Sequence, residues 1–155
     1  MILGERTEFA DNLSLNTGAA GTYNLGDQID TGPNQRDLGV GNDLVLVIQA
    51  SEDITAGSAG TVSLQLVSDS TPTPATDGSQ TIHARTASFA TSTTPIKAGT
   101  VLATMALPLE GGAYERYLGI QQVTGTAAIT AGKINAFLTP LVAKIRHYVS
   151  PFHGA

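Results

Sequence analysis

The amino-acid sequence predicts an all-β protein: an antiparallel jelly-roll sandwich of about eight short strands, with an N-terminal arm and a C-terminal tail. Three observations carry that prediction. Short runs rich in Val, Ile, Leu and Thr recur at intervals of about 8–20 residues, separated by Gly, Pro, Asn, Asp and Ser, the punctuation of strands and turns. Helical periodicity is almost absent. The long polar connections 31–43 and 69–80 suit a sandwich better than the crossover helices of a parallel sheet.

In chain order, residues 1–21 carry few core side chains (Phe9, Leu13, Leu15) and end in Thr17-Gly18-Ala19-Ala20-Gly21. They are expected to form an arm that packs on something rather than a sheet element. Strands are expected at 22–29, 44–48, 61–68, 81–87, 100–107, 115–124, 126–131 and 132–139, giving a domain over 22–140. Leu44-Val45-Leu46-Val47-Ile48 is a continuous apolar run, as in a strand covered on both faces. Between 61 and 68 the pattern alternates: Val62, Leu64 and Leu66 point one way, Ser63 and Gln65 the other. Pro33, Pro72, Pro74, Pro95, Pro108 and Pro140 fall between or at the ends of these runs, where a missing N–H breaks no central ladder. Residues 68–80 are low in complexity and read as an exposed loop with a turn at Asp77-Gly78. The tail, 141–155, is cationic and carries Tyr148 and Phe152; it would add a strand or turn to its own domain or dock on a neighbour.

Composition bounds the class. A chain of 155 residues with net charge −5 fits one domain and can bury a core without staples. No cysteine means no disulfide, thiolate metal site or cysteine nucleophile. The opening residues lack a basic and apolar leader pattern, so synthesis in a cytosol-like compartment is expected, with no membrane partner. Residues 1–80 hold eleven acids against two bases, and residues 81–155 two acids against six bases. The bases are scattered rather than clustered, so nucleic acid is not an expected partner. Opposite fields on two surfaces could orient copies of the chain, unless the halves interleave in space and the asymmetry cancels.

No constellation of enzyme chemistry stands out, and neither a metal nor a cofactor is expected. The three histidines, His83, His147 and His153, lack ligand spacing; His83 is expected on the same strand face as Arg85, as a solvated or interface side chain. Gly39-Val40-Gly41 and Gly111-Gly112 read as turns, not phosphate loops. Asp27, Asp30, Asp37 and Asn42-Asp43 would suit a hard cation such as Ca²⁺, but without EF-hand spacing they read as turn and capping residues. One segment stands out for contact potential: Tyr114-Glu115-Arg116-Tyr117, where Tyr and Arg offer large contact area at small entropic cost. The competing reading is a tyrosine tucked over the sandwich end, with Glu115 and Arg116 pointing to opposite faces.

Six segments in order, Met1-Ile2-Leu3-Gly4-Glu5-Arg6-Thr7-Glu8-Phe9-Ala10-Asp11, Gly26-Asp27-Gln28-Ile29-Asp30, Arg36-Asp37-Leu38-Gly39, Leu64-Gln65-Leu66-Val67-Ser68-Asp69, Tyr114-Glu115-Arg116-Tyr117-Leu118-Gly119 and Ala136-Phe137-Leu138-Thr139, carry a resemblance. The chain resembles the capsid cement (decoration) proteins of short-tailed double-stranded-DNA bacteriophages, notably the Bordetella-phage type. That resemblance implies a small jelly roll that sits as a homo-oligomer, a dimer or trimer, on the outside of an icosahedral shell. There it would clamp adjacent subunits of the phage major capsid protein and catalyse nothing. The expected location is the outer capsid surface of the virion, after synthesis in the host cytoplasm. Arm, turn and tail supply the candidate contact residues: Glu5, Arg6, Phe9, Tyr114, Glu115, Arg116, Tyr117, Arg146, Tyr148 and Phe152. The alternative is a β-sandwich module that recognises a glycan or host receptor through its end loops.

Overall fold

The computed structural model describes residues 7–33, 44–92, 94–108 and 111–140. Among them are nine strands: β1 (Glu8–Ser14), β2 (Gly21–Asp30), β3 (Val45–Ala56), β4 (Thr61–Asp69), β5 (Thr81–Arg85), β6 (Phe89–Ala90), β7 (Val101–Ala106), β8 (Tyr117–Gly125) and β9 (Ile129–Thr139). They form two antiparallel sheets, one ordered β1-β9-β3-β7, the other β2-β8-β4-β5 with β6 also on β4. The fold is a β-sandwich, as the strand-and-turn punctuation predicts.

The pairing has a simple logic. β1 pairs with β9, β2 with β8, β3 with β7 and β4 with β5, so the first half of the chain lies antiparallel against the second. The charge asymmetry therefore interleaves instead of dividing the surface. All three described ion pairs, Asp30–Arg116, Glu52–Lys133 and Asp53–Lys97, join an acid of the first half to a base of the second.

Between the sheets lies one apolar core, in which Leu46 and Ile48 of β3, with Ile134, Ala136 and Leu138 of the neighbouring β9, face Val62, Leu64 and Leu66 of β4 and Leu118 and Ile120 of β8. Burying each large side chain contributes about 1.5–3 kcal/mol. The apolar run in β3 is covered on both faces as expected: Leu46, Val47 and Ile48 are all buried.

Several expectations need correction. Residues 8–14 are not an arm but β1, an edge strand whose Phe9 is 1% exposed within the core. Two register shifts, at Glu8/Ala10 and Ala10/Leu13, together with Asn12 at φ +48°, break the alternation that would have marked it as a strand. The expected strands 126–131 and 132–139 are one strand, β9, because the chain changes sheet at Thr126 (φ +65°), not at Gly132. Gly132 instead lets β9 pass close to β3: a Cβ there would stand 3.0 Å from the Ile54 Cα. The loop after β4 is not simply exposed, since Pro74 and Gln80 are buried. The tail 141–155 lies outside the described residues.

That loop folds back as a strap over the outer face of the five-stranded sheet. Ser63, Gln65 and Val67 of β4 are also buried, on the face opposite the core. Buried amides hold the strap: Gln121 Nε2 donates to the Ala75 carbonyl (2.7 Å) and to Asn24 Oδ1 (2.8 Å), and Asn24 Nδ2 donates to the Pro74 carbonyl (2.8 Å). Gln121 Oε1 in turn accepts from Gln65 and Gln80. The Asp69 carboxylate accepts the N–H groups of Thr71 and Ala75, which holds its pKa below the usual carboxylate value.

Candidate interaction site

Residues 114–117 enter β8 at one end of the sandwich; Tyr114 and Glu115 reach β5, Arg116 reaches β2, and Tyr117 lies under the Arg116 guanidinium. A hydroxyl lies at the inner position where Val62, Leu64 and Leu66 would be continued: Ser68 at the end of β4, fully buried. Its Oγ accepts the Glu115 N–H at 2.9 Å and lies 2.7 Å from Nε2 of His83 on β5. The β4–β5 register shifts between Leu66↔Ala84 and Val67↔Ile82, which leaves His83 as the unpaired residue of a bulge. That bulge turns the imidazole toward Ser68, whereas Arg85, its expected companion, reaches Gln65 on the outer face.

Against the imidazole lies Tyr114, with ring centroids 3.7 Å apart and planes at 7°. The Tyr114 hydroxyl donates to the Pro108 carbonyl at 3.0 Å, closing the turn on itself. Burial pushes the phenol pKa up to about 12. Burial also lowers the His83 pKa below its ordinary value, opposed by the negative charge of Glu115. The His83 Nδ1 is buried and has no hydrogen-bond partner.

Glu115 and Arg116 diverge, as the tucked-tyrosine reading expects. The Glu115 carboxylate accepts from the Thr81 hydroxyl at 3.0 Å. Arg116 spans to β2, where Nε and one terminal nitrogen each lie 2.8 Å from a different Asp30 oxygen. Its guanidinium also sits 4.9 Å from the centre of the Tyr117 ring. This bidentate pair, helped by the Gly32 N–H, lowers the Asp30 pKa to about 2. Next to it Thr31 is buried, its N–H and hydroxyl both donating to the Arg116 carbonyl.

Of the candidate contact residues, Tyr114, Glu115, Arg116 and Tyr117 thus come together, each half-buried. Phe9 does not join them, because its side chain fills the core and offers no surface. Glu5, Arg6, Arg146, Tyr148 and Phe152 lie outside the described residues, as do His147 and His153. Sequence reasoning missed Ser68, His83 and Asp30 as partners of this segment. A parity count could have found Ser68, a polar residue where the strand's inner face calls for an apolar one; nothing in the sequence points to Asp30.

Chemically, a serine hydroxyl 2.7 Å from an imidazole nitrogen has the spacing of a nucleophile and base. Here, however, Ser68 is fully buried and already accepts the Glu115 N–H, and the far imidazole nitrogen carries no orienting partner. The arrangement fixes a turn. Of the acidic residues considered for Ca²⁺, Asp27 is exposed, Asp30 is engaged by Arg116, and Asp37 and Asp43 lie outside the described residues. Among the described residues no group of three or more His, Asp or Glu is placed to hold a metal ion, and no helix is long and apolar enough to cross a membrane.

No curated protein matches the chain. A protein-family model, Bbp16, matches residues 9–138, from the start of β1 to the end of β9. The name of that model marks a family of Bordetella-phage proteins, and a match over this much of the sandwich makes the chain a member of the Bbp16 family.

Proposed function

We propose that this protein is a structural component of a phage virion that binds the outer surface of the capsid and cements neighbouring major capsid subunits, without catalysis. The observation that carries the reading is the 114–117 segment, whose Tyr and Arg side chains are held half-exposed and prefixed at one end of a stiff sandwich. Side chains immobilised before binding lose little entropy on docking, which is what an anchor at a protein interface requires. Membership of a phage protein family supports the same reading. So does the antiparallel two-sheet sandwich, β1-β9-β3-β7 against β2-β8-β4-β5, the layered architecture that a jelly-roll cement protein would have. In this role the protein works as a homo-oligomer, since spreading contacts over several shell subunits multiplies modest affinities.

The test is direct. Shells lacking the protein are incubated with it, imaged, and heated; bound density on the outside and a raised disruption temperature are expected. The double variant R116A/Y117A should fold and bind far less. Bare shells after incubation, or glycan binding by the purified protein with no affinity for shells, would overturn the reading.

A further inference from the structure

We propose that Ser68 and His83 form a proton-operated latch on the 114–117 segment, closed while the imidazole is neutral and opened when it is protonated. The latch itself is a property of the isolated chain; only its consequence for a partner rests on the capsid reading above.

Hydrogen-bond accounting sets the closed state. A serine hydroxyl carries one hydrogen and two lone pairs. One lone pair of Ser68 Oγ takes the Glu115 N–H, and the hydroxyl hydrogen is available for His83 Nε2 at 2.7 Å. That requires Nε2 to be bare, which places the ring proton on Nδ1. Protonation puts a second hydrogen between Nε2 and Oγ, so the serine hydrogen must turn away inside a fully buried site. The Nδ1–H, already without an acceptor in the neutral ring, would then share a positive charge away from water, with one ring face covered by Tyr114. A ring freed into water meets none of these costs, so protons bind the open form better and acid draws the equilibrium toward it.

The groups around the ring do not offset this. From β4 the charged neighbour is Asp69, whose carboxylate is spent on the strap's N–H groups. From β5 it is Arg85, turned to Gln65. From the 111–116 segment come Tyr114, neutral across the working range, and Glu115, the one group that favours the imidazolium, which is held by Thr81. Opening breaks the Tyr114 stack and the Ser68–His83 bond together, so it loosens the turn that presents Arg116 and Tyr117.

Nuclear magnetic resonance on the intact chain tests the latch, from about pH 8 to about pH 5. The His83 ring should titrate below about 6.5, and the Tyr114 ring and Glu115 amide signals should shift with the same midpoint. In H83F, which keeps an aromatic face but cannot titrate, the Tyr114 and Glu115 signals should stay flat. On shells, wild-type affinity should fall by up to about tenfold per pH unit below the midpoint, and that of H83F should not. Tyr114 and Glu115 signals indifferent to pH in the wild type, or equally responsive in H83F, would overturn the latch. Should H83F fail to fold, coincident or separate midpoints in the wild type decide the matter. Coincident midpoints in a protein that binds no shell at any pH would uphold the latch and overturn the capsid reading.

Discussion

Arg116 grips Asp30 with both arms of its guanidinium, 2.8 Å from each carboxylate oxygen, and so ties the start of β8 to the end of the edge strand β2. Asp30 has its pKa lowered to about 2 in the folded protein, below its unfolded value. A depressed carboxylate contributes stability that is fully present above the unfolded value, near pH 4, and lost as the pH falls from there toward 2. Carboxyl carbon resonances should show Asp30 titrating near the bottom of that window. R116Q should return its midpoint toward the ordinary carboxylate range; an unmoved midpoint would mean the pair does not form in solution.

Phe9→Ala distinguishes a core strand from a mobile arm. With Phe9 1% exposed between the sheets, its truncation should cost about 3–5 kcal/mol in urea unfolding, as buried Phe-to-Ala changes do. An arm residue would cost less than about 0.5 kcal/mol.

Gly26 and Gly78 both adopt positive φ, at 63° and 100°, but only one is crowded. A Cβ on Gly26 would fall 1.9 Å from the Phe9 carbonyl oxygen, whereas one on Gly78 meets nothing within 4 Å. Gly78→Ala should therefore cost about 1–2 kcal/mol, the backbone penalty alone. Gly26→Ala must also push β1 away from β2, so its melting temperature should drop well below that of the Gly78 variant.

Gln121→Leu probes the strap. The substitution removes the bonds to Gln65, Gln80, Asn24 and the Ala75 carbonyl, of which Gln65 and Gln80 stay buried. Each buried polar group left without a partner costs about 1–3 kcal/mol, so a clear loss of stability is expected. Limited proteolysis should cut Q121L within residues 70–80 faster than the parent. Equal cleavage rates would show that Asn24, Asp69 and Pro74 hold the strap without Gln121.

The sandwich was legible because β3, β4 and β8 obey simple rules: Val62, Leu64 and Leu66 alternate, and Leu46 to Ile48 run unbroken between two covered faces. β1 was hidden because its register slips twice, so that Phe9 and Ala10 are buried in succession and no period of two survives. The strap was hidden for a different reason. Its own residues are small and polar, and what seats it is a set of glutamines on distant strands, a complementarity that only the folded sheet brings together. The same holds at the candidate site. Tyr114 to Tyr117 could be singled out by residue type, but their partners Asp30, Ser68, Thr81 and His83 are supplied by tertiary pairing and by one bulge.

The ladder between β1 and β9 has a consequence for biogenesis. β1 is made more than a hundred residues before β9, its strand neighbour among the described residues. Until then Phe9 has no pocket to fill, and the nascent chain must stay open or sheltered by chaperones. Closure of the sandwich thus waits for β9, and until it is made the edges of β1 and β3 that it will cover are open to other half-made copies.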